Sequence, residues 1–192
     1  MKKPPDHLAE RLYEASAQIL RLDSEVKLDE VATTIGVPRA TLYYYFSGRD
    51  DLTAYLLTRH LEAGNDVFAP ALSGEGGAED KLRALLLAMI GFLAEHPGVC
   101  AGLLSAMGSG IGMQEVMTAN ERVIAAPLRD LLIHGRESGE FTFEDAADTA
   151  NLLLGAMLIT VLGRAVDGRI LDDGEFRGSI ADQLLRTATT ST

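Results

Sequence analysis

A chain of 192 residues can form one domain or a small domain joined to a larger one. Its apolar content of 47% is enough to fill a sizeable core, so disorder of the whole chain is not expected. Its single cysteine, Cys100, excludes an internal disulfide framework and a multi-cysteine metal site, and it fits a reducing cytosol. The net charge of −11 argues against a nucleic-acid partner, because phosphate neutralisation needs Lys and Arg. Most of that excess lies in residues 51–192, which hold ten basic and twenty acidic residues, whereas residues 1–50 hold seven and eight.

The sequence predicts no membrane segment. The N-terminus has no apolar run of the signal-peptide type. The longest charge-free stretch, His96 to Gln114, contains a proline and five glycines, which makes it a poor membrane span. We therefore expect a soluble, cytoplasmic protein without a membrane partner.

Apolar residues recur with helical spacing along nearly the whole chain, and no run alternates long enough to form a strand. Pro4, Pro5 and Asp6 predict the start of a first helix. The apolar face of that helix consists of Leu8, Leu12, Ala15, Ile19 and Leu22. Two short helices are predicted, one over about 28–35 and one that starts just after Pro38 and runs through Phe46. A fourth helix has Asp50 and Asp51 in its first turn and reaches about Phe68.

A linker-like segment, Ser73 to Gly77, precedes the remaining helices. These helices are predicted at roughly 79–95, 99–106, 113–138, 143–166 and 173–188. The expected fold is therefore all-α, with an N-terminal three-helix domain and a C-terminal helical bundle. The boundary is placed at residue 50, so that residues 1–50 and 51–192 form the two domains and the helix at 50–68 links them.

Residues 28–46 have the pattern of a helix-turn-helix. Ala32 is small where two helices approach closely, and Gly36 ends the first helix at a position that commonly needs a positive φ. Pro38 fits the first turn of the second helix, where its missing N–H is not needed. The apolar residues that join the two helices are Val31, Ile35, Val37 and Leu42.

A helical wheel of residues 39–46 separates a core side from a reading side. Leu42 and Phe46 fall together on the core side. The opposite side holds Ala40, Thr41 and Tyr44, with Arg39 and Tyr43 on one flank and Tyr45 on the other. Arg can donate two parallel hydrogen bonds to guanine, and aromatic edges can pack on thymine methyl groups. This helix is therefore predicted to enter a major groove, although Tyr45 is equally well placed to cap the hydrophobic core.

The run from Val31 to Val37, then Thr41 to Phe46, then Arg49 and Leu52, resembles the DNA-binding domain of the TetR family. The resemblance covers about residues 8–57, and its most specific part is Leu-Tyr-x-x-Phe after the turn. It implies a helical homodimer that regulates transcription. It also matches the following residues to positions that contact bases or phosphates: Arg39, Ala40, Thr41, Tyr43, Tyr44, Tyr45 and Arg49.

The start of the second predicted helix departs from the family pattern. The family often has Thr or Ser as the cap at this point, whereas this chain has Lys27, which is a poor cap. Asp29 and Glu30 follow, and an acidic side chain near phosphates would be repelled. We expect the two acids to complement the helix dipole, and we expect Lys27 to contact a phosphate.

The C-terminal part is predicted to dimerise. The segment from Leu152 to Ile159 is apolar at every position, which predicts a helix without a solvated face and hence a partner chain. The family resemblance places a four-helix interface at the last two long helices, two from each subunit. The predicted interface residues are Leu153, Gly155, Leu158, Leu162 and Leu184.

An effector site is predicted from adaptable apolar side chains, with methionine prominent among them. The candidate residues are Met89, Phe92, Met107, Met113, Met117, His134, Asn151 and Met157. Plain core packing is the competing interpretation for each methionine, and a satisfied core or surface role competes for His134 and Asn151. Cys100 is interpreted as a small buried hydrophobe, with redox sensing as the alternative.

Together, these features predict a ligand-responsive repressor that a small, mainly apolar effector releases from a palindromic DNA operator. Sequence does not decide between repression and activation. No cofactor, metal or enzymatic activity is expected, because the four histidines lack metal-ligand spacing and no Gly-x-Ser-x-Gly elbow occurs. The alternative is a helical protein-interaction module that has lost operator binding.

Overall fold

The computed structural model describes residues 3–20, 26–171 and 173–189. Within those ranges all regular structure is helical and no strand is present, so the predicted all-α class is confirmed. The helices are α1 Asp6–Glu14, α2 Ser16–Ile19, α3 Leu28–Thr34, α4 Arg39–Tyr45, α5 Arg49–Ser73, α6 Ala78–Glu95, α7 Pro97–Ser109, α8 Met113–Asn120, a π-helix Glu121–Ala125, α9 Ala126–Glu137, α10 Ala146–Val166 and α11 Gly174–Thr189.

Several predicted helices differ from the observed ones, three of them in ways that the structure explains. The first is interrupted at Ala15, which separates α1 from α2, and Leu22 lies outside the described residues. The fourth continues through Pro70 to Ser73, whose hydroxyl donates to the Ala69 carbonyl at 2.9 Å and secures the last turn. The helix predicted over 113–138 contains a turn of π-helix at Glu121–Ala125 between α8 and α9.

The chain divides into two compact units that do not coincide with residues 1–50 and 51–192. The first unit comprises residues 1–60 and 98–119, and the second comprises residues 61–97 and 120–192. Gly102 of α7 lies against Leu20 and Leu57 so closely that a Cβ there would be 3.0 Å from the Leu57 side chain. Helix α7 therefore packs with the N-terminal unit, which periodicity along the chain cannot show.

The second unit is a bundle in which α6 packs against α9, α10 and α11. Its fully buried side chains include Leu82, Leu86, Ile90, Leu128 and Leu132. Helix α10 starts at Ala146 because the Asp145 carboxylate accepts a hydrogen bond from the Asp148 N–H at 2.8 Å, an N-cap.

Candidate DNA interface

The turn between α3 and α4 is fixed by a glycine. Gly36 has φ +65°, as predicted. Its N–H donates to the Thr33 carbonyl at 3.2 Å, and the Val37 N–H donates to the Ala32 carbonyl at 2.9 Å. These two bonds form a Schellman motif, which satisfies the last carbonyls of α3 and redirects the chain. The sequence thus determines the angle at which the second helix leaves the first.

The two helices share the small core that the sequence predicts. Helix α3 packs against α4, and Val31, Ala32, Leu42 and Phe46 are each exposed by no more than 1%. Val37 is half-buried at the margin of this core. Because Leu42 and Phe46 are buried, the orientation of α4 is set, and its opposite side must face outward.

That outward side presents large aromatic groups. Tyr43 and Tyr44 are 57% and 61% exposed, whereas Thr41 is half-buried. The Tyr44 ring meets the Tyr45 ring edge to face, with 5.0 Å between centroids. Tyr45 is itself half-buried, so it supports Tyr44 and still offers part of its surface. Exposed tyrosines in a row on one short helix form a surface suited to contacting another molecule.

The predicted basic residues lie around this aromatic surface. Lys27, Arg39 and Ala40 are exposed, and Arg49 is half-buried at the first position of α5. The Ser47 N–H and hydroxyl both donate to the Asp51 carboxylate, at 2.9 and 3.1 Å. This cap fixes the start of α5, and so it fixes the backbone that carries Arg49.

The two acids of α3 have distinct partners. Glu30 accepts a hydrogen bond from the Lys27 N–H at 3.3 Å, which caps the helix from within despite the poor capping residue. Asp29 forms an ion pair with Arg39, and the distance between Asp29 Oδ2 and Arg39 Nη1 is 2.8 Å. Sequence reasoning assigned Asp29 only to the helix dipole and missed this partner.

The predicted dimer residues divide between the core and the surface of the subunit. Leu153 and Leu184 are 0% and 7% exposed, so they belong to the core of their own chain and offer almost no area to a partner. Leu158 and Leu162 are half-buried, and Gly155 is exposed. The opposite side of α10 carries an exposed row that includes the predicted Gly155; its members are Leu152, Gly155, Ile159, Gly163 and Val166.

The predicted effector residues are also divided. Met89, Phe92 and Met157 are buried in the second unit, on α6 and α10, which pack together. The Phe92 ring meets Phe68 edge to face at 5.5 Å. His134 and Asn151 are exposed in the same unit and lie outside its core. The remaining three candidates belong to the first unit. Met113 is half-buried there, and Met107 and Met117 are exposed.

Three further observations bear on chemistry and environment. Cys100 is fully buried, and burial raises the pKa of its thiol to about 12. Among the described residues, no group of three or more His, Cys, Asp or Glu is placed to hold a metal ion. Helix α10 is long and apolar enough to cross a membrane, a property it shares with core helices of soluble proteins.

A helix-turn-helix with a buried core, an outward aromatic face and flanking basic residues is typical of a DNA-binding protein. Residues 24–56 match the family model for bacterial regulatory proteins of the tetR family, and residues 75–161 match the model for the tetracyclin repressor-like C-terminal domain. The chain belongs to the TetR family of transcriptional regulators.

Relatives and solved structures agree with this assignment. The HTH-type transcriptional repressor NemR of Escherichia coli (strain K12) is 26% identical over 151 residues, which are 73% of this chain and 76% of that protein. The fatty acid degradation regulator FadR of Bacillus halodurans matches with a TM-score of 0.77 at 17% identity, over 96% of this chain and 97% of the other. FadR of Bacillus subtilis, solved in complex with stearoyl-CoA, matches with a TM-score of 0.77 at 17% identity, over 92% and 97%.

Proposed function

We propose that the protein is a cytoplasmic, dimeric repressor that binds a near-palindromic operator through α4 and is released by a small, mainly apolar effector. The observation that carries this proposal is the exposure of Tyr43 and Tyr44 on a helix whose other side is locked into the core by Leu42 and Phe46. A helix presented in this way fits the major groove. The contacts that we assign to DNA are those of Lys27, Arg39, Ala40, Thr41, Tyr43, Tyr44, Tyr45 and Arg49.

The exposed row on α10 supports the dimer. Leu152, Ile159 and Val166 are 57%, 55% and 66% exposed, and a Cβ built at Gly155 or Gly163 would meet no atom within 4 Å. Large apolar side chains separated by glycines let two helices approach closely. One recognition helix reads too few base pairs to find a site in a genome, so two copies must be held about 34 Å apart or slightly more. We assign the interface to this row together with the half-buried Leu158 and Leu162.

The second unit is the proposed receiver of the effector. Met89, Phe92 and Met157 lie in its interior, and methionine adapts to apolar ligands of varied shape. FadR of Bacillus subtilis holds stearoyl-CoA, whose acyl chain is long and apolar. In the DNA-bound dimer the two recognition helices have a spacing that matches successive grooves, and the effector would favour a second spacing that does not. It can shift this equilibrium only as far as it binds the second arrangement more tightly than the first.

The proposal is tested in two stages. A gel shift with DNA from upstream of its own gene first establishes operator binding; a folded dimer that binds this DNA no better than random DNA would leave the helical interaction module as the function. Calorimetric titration with a series of acyl-CoA thioesters, with and without operator, then tests the effector. Because coupling is reciprocal, operator DNA should weaken binding of an effector by the factor with which that effector weakens DNA binding, typically ~5–150-fold. Equal affinities in the two titrations would identify a compound that binds without regulating.

A further inference from the structure

Arg39, the residue best suited to reading guanine, is held by an acid on the neighbouring helix. The distance between Arg39 Nη1 and Asp29 Oδ2 is 2.8 Å, and the two side chains are 68% and 36% exposed. The pair connects the first turn of α3 with the first residue of α4. It therefore spans the two helices of the motif at its outer surface.

Stabilisation of the fold is a weak explanation for this contact. Ion pairs as exposed as this one contribute little, because water screens them and two long side chains lose freedom. An anion beside a DNA-binding surface also repels phosphates and lowers affinity for every DNA sequence. Asp29 partly offsets the unfavourable position of Arg39 at the positive end of α4. The contact has one further consequence, which is that it restricts where the guanidinium can point.

We propose that Asp29 is a specificity-determining residue that positions Arg39 for guanine and keeps it from phosphate. The inference rests on the proposed function, operator binding through α4. A guanidinium has five N–H donors in a fixed fork, and the Asp29 carboxylate lies beside only one of its nitrogens, Nη1. The donors that remain offer two parallel hydrogen bonds, which match O6 and N7 of guanine. To bind a phosphate instead, Arg39 would have to leave Asp29 and abandon this ion pair.

The experiment begins with the full-length protein and a pool of double-stranded DNA with a randomised central segment. Wild type selects its preferred sequence, and the guanine read by Arg39 is the position at which Arg39→Ala loses its preference. Replacing that guanine should weaken binding of wild type by roughly 5- to 150-fold, the usual range for a bidentate contact. In Asp29→Asn we expect this discrimination to fall at least several-fold. Affinity for random DNA should rise and the salt dependence steepen, because one anion has been removed.

Glu30→Gln is the matched control. It removes the same charge from the next position of α3, but Glu30 contacts the Lys27 N–H and leaves the Asp29–Arg39 pair intact. This variant should share the rise in affinity for random DNA and keep the base discrimination of wild type. Asp29→Glu, which keeps a carboxylate within reach, should restore at least part of the discrimination. Circular dichroism melts of the variants establish that each is folded.

The outcomes separate the inference from the function on which it rests. If wild type selects no sequence, the proposed function fails. If wild type selects a site but Asp29→Asn discriminates at the Arg39 position as wild type does, the inference is overturned and the function stands. Equal losses of discrimination in Asp29→Asn and Glu30→Gln would reduce the effect to net charge and would also overturn it. The inference would also be overturned if Arg39→Ala kept the base preference of wild type at every position of the site.

Discussion

The most direct test of the assembly is a charge placed on the exposed row of α10. Ile159→Glu puts a carboxylate at a position that is 55% exposed on the single subunit and that, by our proposal, faces the partner. Burying a whole isoleucine side chain contributes about 1.5–3 kcal/mol. The partner can cover only the exposed half, about 0.8–1.6 kcal/mol for each copy by the same scale.

Two-fold symmetry doubles this contribution, so the substitution should weaken dimerisation by about 2–3 kcal/mol from lost apolar contact alone. Since about 1.4 kcal/mol corresponds to a tenfold change, the dissociation constant should rise roughly 30- to 140-fold. This is a lower bound, because each new carboxylate would also be buried without a partner. Sedimentation equilibrium over a range of protein concentrations measures the constant.

Two controls separate dissociation from damage to the fold. Val67→Glu changes a 45% exposed apolar residue on α5, outside the row, and should leave the dimer unchanged. Leu153→Ala changes a fully buried residue on the inner side of α10 and should lower the free energy of unfolding by about 2–5 kcal/mol, because it creates a cavity. A dimer of Ile159→Glu as tight as wild type would refute our assignment of the interface. Binding of wild type to lipid vesicles that Ile159→Glu weakens would instead identify α10 as a membrane-binding helix.

Three further predictions concern single residues. Tyr44→Ala should lose roughly 1–3 kcal/mol of specific operator affinity in a fluorescence anisotropy titration while random DNA binds as before, and equal losses on both would make Tyr44 a phosphate contact. Gly36→Ala should lower the free energy of unfolding, measured in urea, by about 1–2 kcal/mol, because φ is +65° at this position. The nearest atom to the new Cβ is 4.0 Å away, so the cost comes from the backbone conformation and not from a steric clash. The Cys100 thiol, with a pKa of about 12, should react with a thiol reagent at pH 7 only when the protein unfolds. Because the thiol is buried in its neutral form, the free energy of unfolding should also fall as pH rises from about 9 to about 12. Fast labelling of the folded protein would contradict both expectations.

The helix-turn-helix could be predicted from sequence because its determinants are local. Gly36, Pro38 and the spacing of Val31, Ile35 and Leu42 fix the turn and its core within a few residues. The inner side of α10 could not be predicted in the same way. When every residue from Leu152 to Ile159 is apolar, periodicity cannot distinguish the side that packs on its own chain from the side that stays exposed. The sequence therefore predicts Leu153 as an interface residue, whereas the structure buries Leu153 and exposes Leu152 and Ile159.

The same limit applies wherever a role depends on packing between distant segments. Methionine is apolar in a core and in a ligand site alike, so composition could not separate the buried Met89 and Met157 from the exposed Met107. The Asp29–Arg39 pair joins residues ten positions apart across a turn, and its geometry depends on the angle that Gly36 imposes. Local rules predict each partner, but they do not predict that the two meet.

The acidic character of the chain and the proposed role of Asp29 have a common physical consequence. Residues 1–50 carry seven basic and eight acidic residues, a net charge of −1, and the whole chain carries −11. Such a protein gains little from attraction to phosphates in general, so we expect its background affinity for random DNA to be low. A genome offers very many competing sites, and occupancy of the operator depends on the ratio of specific to non-specific affinity. Repulsion that weakens binding to all DNA lowers both affinities by the same factor, so the ratio rises only through the directed contacts that the two recognition helices supply. By our proposal, Asp29 therefore raises this ratio because it aims Arg39 at a base and keeps it from phosphate, and not because it repels DNA in general.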